Sequence, residues 1–183
     1  MTDDIKLPNK KYNIIYADPP WRYTDTNKSE RGGTEDHYKT MSLDDIKNLP
    51  VKDITTENAA LFLWVTFPKL NDGVLDVFEA WGFKYKTIAF NWVKLNKNNN
   101  KVWFGIGHYT KSNTEVCLLG IKGKMPVIDN TVSSVVMTNR ERHSKKPDII
   151  RDKIVQLYGD VPKIELFARQ TADGWDSWGN EVS

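Results

Sequence analysis

The feature that most constrains this chain is an apolar strand-like segment that stops at two prolines. Residues 12 to 17, Tyr-Asn-Ile-Ile-Tyr-Ala, are apolar and β-branched enough to predict a buried strand. Asp18, Pro19, Pro20 and Trp21 follow at once, and because neither proline offers an N–H, a central strand has to end there. Ligands of open α/β sheets bind at the carboxyl ends of strands. We therefore expect these four residues to lie at a functional site.

The rest of the chain alternates between segments typical of strands and segments typical of helices. Five further strands are predicted, at residues 59–66, 86–94, 115–121, 132–137 and 163–169. Apolar residues at helical spacing, with proline or glycine at the ends, predict helices at residues 42–49, 68–81 and 147–158. This alternation predicts an α/β fold of the Rossmann-like class, with one twisted, mostly parallel sheet flanked by helices.

Length and composition are those of an ordinary soluble protein. The chain has 183 residues, of which 39% are hydrophobic and 27% charged, so a single domain over residues 1–183 is expected. No apolar run approaches a membrane span or a signal peptide, which predicts a cytoplasmic protein with no membrane partner. One cysteine and three histidines at no ligand spacing predict neither disulfides nor a metal site. The net charge of +2 does not decide whether the partner is a nucleic acid.

The Asp-Pro-Pro-Trp segment has two interpretations. The exocyclic amine of adenine is a poor nucleophile, because its lone pair is delocalised into the ring. The carboxylate of Asp18 and the carbonyl of Pro19 could hold its two N–H groups, with the fixed φ of proline presetting the carbonyl direction. The Trp21 side chain could stack on the base. The same residues are equally compatible with a simple turn whose tryptophan belongs to the core.

Further motifs follow in a fixed order and point to one family. They are Tyr38-Lys39-Thr40-Met41-Ser42, Leu61-Phe62-Leu63-Trp64-Val65-Thr66, Trp92-Val93-Lys94, Glu115 to Gly123, Lys146-Pro147-Asp148 and Lys163 to Arg169. With the Asp-Pro-Pro-Trp segment, the chain resembles the MT-A70 family of adenine-N6 methyltransferases, in particular its short bacterial or phage members that act on DNA. The resemblance implies catalytic roles for Asp18, Pro19, Pro20 and Trp21, and a motif order permuted relative to most methyltransferases.

The resemblance also implies a cofactor, S-adenosylmethionine, which leaves as S-adenosylhomocysteine, and no metal. Lys146 would bind the cofactor carboxylate, and Asn180 with Glu181 would hydrogen-bond its ribose and adenine. The last strand would carry the cofactor motif and so bring Arg169 beside Asp18. The implied cofactor-binding residues are Lys146, Glu165, Phe167, Arg169, Asn180 and Glu181.

The implied substrate is a nucleic acid, and DNA is favoured over RNA because the chain is a bare catalytic domain. In a DNA duplex the adenine would have to be flipped out, and stacking on Tyr38 or Trp21 could offset part of that cost. The basic run at residues 140–146 predicts phosphate contacts from Arg140 and Arg142, with a solvated loop as the alternative. An RNA adenine-N6 methyltransferase and a catalytically silent nucleic-acid-binding subunit are the alternative functions. The sequence leaves open whether the protein forms a homodimer or a heterodimer.

Overall fold

The structure is a computed structural model that describes residues 6–22, 40–67, 70–105, 107, 109–141 and 145–182. Tyr38 and Arg142, two of the predicted nucleic-acid contacts, lie outside these ranges. The described strands are Tyr12–Ala17 (β1), Thr55–Val65 (β2), Lys84–Leu95 (β3), Thr114–Lys122 (β4), Val135–Asn139 (β5), Lys163–Leu166 (β6) and Asp176–Trp178 (β7). The described helices are Leu43–Lys47 (α1), Val74–Ala80 (α2) and Ile149–Tyr158 (α3), with a 3-10 helix at Val51–Ile54. No helix among the described residues is long and apolar enough to cross a membrane.

The strands form one sheet in the order β5-β3-β4-β2-β1-β6-β7. Strand β4 is antiparallel to both of its neighbours, β2 and β3, and every other neighbouring pair is parallel. The carboxyl ends of β1, β2, β3, β5, β6 and β7 therefore meet at one edge of the sheet. The predicted α/β fold with a mostly parallel sheet is confirmed.

Helices cover both faces of the sheet. Successive side chains of a strand point to opposite faces, so Ile15 of β1 packs on one side with Ile46 of α1 and Val77 of α2. Tyr16 packs on the other side, in the cluster that contains Ile154 of α3. Strand β2 is buried on both faces from residue 59 to residue 65, which accounts for its continuous apolar run.

Local sequence signals predict the start of α1 correctly but miss the ends of other elements. Helix α1 begins at a capping box: the Ser42 hydroxyl accepts the Asp45 N–H, and the Asp45 carboxylate accepts the Ser42 N–H. Helix α2 starts later than predicted, because Gly73 has a left-handed φ of 84° that interrupts a right-handed helix. Strand β6 ends early, at Leu166, where Phe167 takes a φ of 62°. Strand β7 and the 3-10 helix carry too weak a local pattern to be predicted.

Candidate active site

The Asp-Pro-Pro-Trp segment forms a tied turn at the carboxyl end of β1. The Pro19 carbonyl accepts the Trp21 N–H at 2.9 Å, and the Pro20 carbonyl accepts the Met41 N–H at 2.8 Å. The Trp21 side chain is buried, and its indole N–H donates to the Trp64 carbonyl at 3.1 Å. Its contacts are those of a core residue, and they fix the turn on β2. Asp18 is thereby held at the edge of the sheet between β2 and β6.

Four charged side chains of alternating sign form a chain that starts at Asp18. The Lys146 ammonium donates to Asp18 Oδ2 at 2.7 Å and pairs with Glu115 Oε2 at 3.2 Å. The other oxygen of Glu115 accepts from Lys94. The Asp18 side chain is 27% exposed and that of Lys146 only 12%. Residues from four separate segments of the chain thus meet in one shielded, charge-balanced row.

The ion pairs of this row stabilise the charged forms of Lys146 and Glu115 but do not fully offset the burial of Asp18. Burial alone would lower the pKa of Lys146, but Asp18 and Glu115 outweigh it and raise that pKa. Burial alone would likewise raise the pKa of Glu115, yet Lys146 and Lys94 lower it. For Asp18 burial prevails and raises the pKa, against the opposing effects of Lys146 and Arg169. Asp18 is therefore a carboxylate with a nearby cation and with acceptor capacity beyond the single N–H of Lys146.

The aromatic ring of Trp64 packs against Lys146 of this row. The ring centroid lies 5.5 Å from the Lys146 ammonium, within the range of a cation–π contact. The Trp64 indole N–H donates to the Tyr16 hydroxyl at 2.8 Å, so the ring has a fixed orientation. Trp64 and Tyr16 are both fully buried. Lys146 is consequently positioned by the Trp64 ring as well as by the carboxylates of Asp18 and Glu115.

The predicted cofactor residues surround the end of β6. Leu166 pairs with Ala17 in the register of β6 with β1, so Arg169 follows close to Asp18 and lowers its pKa. The Nε of Arg169, which is half-buried, lies 3.7 Å from the Glu181 carboxylate, and Glu181 and Asn180 are exposed. The Phe167 ring packs edge-to-face on Trp178, with centroids 5.6 Å apart. These residues form one rim beside the Asp18 turn.

Glu165, another predicted cofactor residue, is also ion-paired inside the protein. Its carboxylate accepts from Arg151 of α3 at 2.9 Å, and Arg151 also binds Asp148. Burial raises the pKa of Glu165 to about 7, and the nearby Asp18 adds to this, although Arg151 opposes it. Glu165 therefore fastens α3 to β6 and keeps an ionisable carboxyl near the Asp18 turn.

We expect Glu165 to make the stability of the protein fall between pH 4.5 and about pH 7. A carboxyl whose folded pKa is raised from 4.5 to about 7 binds its proton more tightly in the folded state, so its contribution is full below pH 4.5 and is lost as the pH rises to 7. As the pH rises through this window, the free energy of unfolding of Glu165→Gln, measured with urea, should increase by at most about 3 kcal/mol relative to that of the wild type. Glu115→Gln serves as a control of opposite sign, because the pKa of Glu115 is lowered and its contribution is lost as the pH falls. Parallel stability curves for Glu165→Gln and wild type would contradict a titration near pH 7.

Two residues of the basic run, Lys145 and Arg140, have different kinds of partner in the structure. Lys145 binds Glu141 and Asp148, each at 2.7 Å, so much of its charge is used within the protein. The Arg140 guanidinium instead lies over the Trp103 ring, with its Cζ 3.9 Å from the centroid. Arg140 directly follows β5, at the same edge of the sheet as Asp18, and the Trp103 ring also lies 5.7 Å from Lys94 of the charged row.

Sequence reasoning assigned no role to Lys94 or Glu115, although both stand in motifs that carried the resemblance. The pairing of Glu115 with Lys146, Lys94 and, through Lys146, Asp18 is a tertiary contact with no local pattern. Among the residues that the structure describes, no group of three or more histidine, cysteine, aspartate or glutamate side chains is placed to hold a metal ion.

Comparisons with known proteins show to which family the chain is similar. The sequence model of the MT-A70 family matches residues 12–181. The chain is 38% identical to the Type II methyltransferase M.MunI of a Mycoplasma species, over 97% of this chain and 80% of that protein. It is 34% identical to a putative N(6)-adenosine-methyltransferase MT-A70-like protein of Medicago truncatula and 29% identical to the human N(6)-adenosine-methyltransferase catalytic subunit METTL3. These two alignments cover 94% of this chain but only 27% and 28% of the relatives.

Proposed function

This chain belongs to the MT-A70 family and is an adenine-N6 methyltransferase, and we propose that it methylates adenine in DNA with S-adenosylmethionine as the methyl donor. The family predicted from the sequence is confirmed by the match over residues 12–181, and the predicted reaction by this match together with the relatives named as methyltransferases. One observation carries the proposed site: the Asp18 carboxylate ends β1 with Lys146 2.7 Å away. The single-domain organisation, the cytoplasmic location and a dimer stay predictions.

The choice of DNA rests on the relatives. M.MunI, named as a Type II methyltransferase, is matched over four fifths of its length. The relatives named as N(6)-adenosine-methyltransferases are more than three times as long as the segment they share with this chain. We therefore favour DNA, because the alignment with M.MunI covers more of both proteins, and treat RNA as the alternative substrate.

The acceptor amine is held by two oxygens at the end of β1. The Asp18 carboxylate accepts one N–H of the adenine N6 and the Pro19 carbonyl accepts the other, which draws the nitrogen lone pair out of conjugation with the ring. Both oxygens have further acceptor capacity: Asp18 accepts from Lys146 through Oδ2, and the Pro19 carbonyl accepts one N–H, from Trp21. Much of the rate enhancement then comes from positioning the amine in line with the methyl group. The proton that N6 loses passes to Asp18 or to water.

The residues at the rim fit S-adenosylmethionine, which supplies an electrophilic methyl group on a sulfonium centre. An ammonium group has three donors, of which Asp18 and Glu115 take two, so Lys146 can bind the cofactor carboxylate with the third. The Glu181 carboxylate is exposed and can accept from the two ribose hydroxyls. At Gly179 a Cβ atom would lie 2.3 Å from the Ala168 carbonyl, so only glycine allows this close approach of the two backbones.

The nucleic acid would approach the same edge of the sheet. Flipping an adenine out of a duplex costs a few kcal/mol, and we assign stacking on the base to Tyr38, which follows the Asp18 turn in the sequence. The buried Trp21 would instead support the turn from the core side. Arg140 and Arg142 complete the proposed nucleic-acid contacts.

Transfer of a radiolabelled methyl group to matched oligonucleotides tests this function. Wild-type protein should label adenine-containing duplex DNA, and labelling should disappear when every adenine is replaced by N6-methyladenine. Single-stranded RNA and DNA of the same sequence are the comparison substrates, and calorimetry measures S-adenosylmethionine binding in parallel. Labelling of RNA alone would overturn the choice of DNA. A protein that binds the oligonucleotides but labels none of them would be the catalytically silent subunit.

A further inference from the structure

A built turn lies beyond the carboxyl end of β3, at the edge of the sheet that carries Asp18. The Asn96 N–H and side-chain amide both donate to the Lys101 carbonyl, at 2.9 and 3.3 Å, and the Asn99 side chain accepts the Lys101 N–H at 3.0 Å. Asn100 takes a left-handed φ of 53°, which asparagine tolerates better than most residues. This turn therefore presents exposed amide side chains from a defined backbone.

Arg140 lies beside this turn on a fixed aromatic support. Its Cζ is 3.9 Å from the centroid of the Trp103 ring, and its backbone N–H donates to the Leu95 carbonyl at 3.3 Å. The backbone of Trp103 is held in turn: its backbone N–H donates to the Lys94 carbonyl at 2.8 Å, and its carbonyl accepts from the Asn113 side-chain amide at 2.6 Å. A guanidinium stacked on a ring keeps its N–H donors in one plane and directed outward.

The two features line one polar cleft that borders the candidate active site. Its polar lining residues are Asn96, Lys97, Asn98, Asn99, Arg140 and Glu141. The Lys94 ammonium lies 5.7 Å from the Trp103 ring and is the last member of the charged row that begins at Asp18. Lys94 and Trp103 therefore connect the charged row at Asp18 with this cleft along one edge of the sheet.

We propose that Arg140, positioned by Trp103, reads the O6 and N7 edge of a guanine that flanks the target adenine in DNA. This inference rests on the proposed function. Guanine O6 and N7 match the paired donors of a planar guanidinium. Glu141, in the same cleft, is paired with Lys145 through Oε2, and its other carboxylate oxygen can accept from the N4 amine of the paired cytosine. The cleft thus places donors and acceptors that suit a base edge beside the cationic Lys97.

The test compares variants on oligonucleotides that differ only at the bases flanking one adenine. Wild-type protein should bind and methylate a guanine-flanked site best. Arg140→Lys keeps the positive charge but loses the planar pair of donors, so it should lower binding and methylation of the guanine-flanked site by roughly 5- to 150-fold and change other flanks little. Trp103→Leu should give the same pattern more weakly. Lys86→Gln, an exposed residue in the opposite half of β3, is the control and should behave as wild type.

Each outcome has a defined meaning. Equal affinity of the wild type for all flanking bases overturns the inference. A phosphate contact would give a different pattern: Arg140→Lys would behave as wild type, whereas Arg140→Gln would weaken binding of all sequences alike and lower its salt dependence. That pattern would also overturn the inference. A flank-dependent loss on RNA but not on DNA also overturns it. Selective binding of guanine-flanked DNA without any methylation would contradict the proposed function and leave the inference standing. Thermal unfolding confirms that every variant is folded.

Discussion

Replacing Asp18 by alanine is expected to lower the rate of methyl transfer by at least about a hundredfold while S-adenosylmethionine binding changes little. The carboxylate is assigned to the acceptor amine, and the amine of adenine does not attack while its lone pair stays in the ring. Lys146 keeps Glu115 as a partner in this variant, so no unpaired buried charge results and the fold should persist. Radiolabel transfer measures the reaction, and calorimetry measures cofactor affinity.

Two companion variants sharpen this experiment. Asp18→Asn keeps one acceptor oxygen but replaces the other by a donor, so it should retain the fold and lose most of the activity. Asp152→Ala removes an exposed carboxylate on α3 and should leave transfer unchanged. Activity of Asp18→Ala above roughly one part in a hundred of wild type would remove Asp18 from the reacting atoms.

Replacing Lys146 by alanine should weaken S-adenosylmethionine binding by about 1 to 3 kcal/mol, or roughly 5- to 150-fold in Kd. The loss is that of one charge-assisted hydrogen bond to the cofactor carboxylate. The variant also strips Asp18 of its cation, and because burial already raises the pKa of Asp18, its ionised form should become still less stable. Transfer should therefore drop further than the loss of binding explains, and its acid limb should move to higher pH.

The two effects of Lys146 can be separated by measuring Kd and kcat independently. A variant with normal Kd and low kcat would show that Lys146 acts only through Asp18 and Glu115, as its observed contacts in the structure allow. Asn180→Ala, which touches neither carboxylate in the proposed site, should weaken cofactor binding without moving the pH profile. Lys153→Ala, on α3, is the charge-matched control. Normal binding by both Lys146→Ala and Asn180→Ala would contradict the proposed cofactor site.

Much of the fold follows from short-range signals in the sequence. The apolar run from residue 12 to residue 17 and the two prolines that follow specify where β1 ends, and the structure has that strand at Tyr12–Ala17. The Ser42 and Asp45 pair specifies the start of α1 in the same way. These signals work because strand periodicity, missing N–H groups and caps act within a few residues of each other. They also sufficed to predict the α/β class and to place Asp18 at the edge of the sheet.

The order of the strands and the composition of the site were decided only by the tertiary structure. Nothing local specifies that β4 lies antiparallel between β2 and β3, which brings Glu115 beside Lys94. Lys146 reaches Asp18 across 128 positions of the chain, and Arg140 lies on the ring of Trp103. Such contacts depend on how whole elements pack, and burial gives the charged side chains energies that they lack in an isolated segment. The sequence by itself therefore determined the fold class and the position of the Asp-Pro-Pro-Trp turn, whereas packing decided which charges surround it.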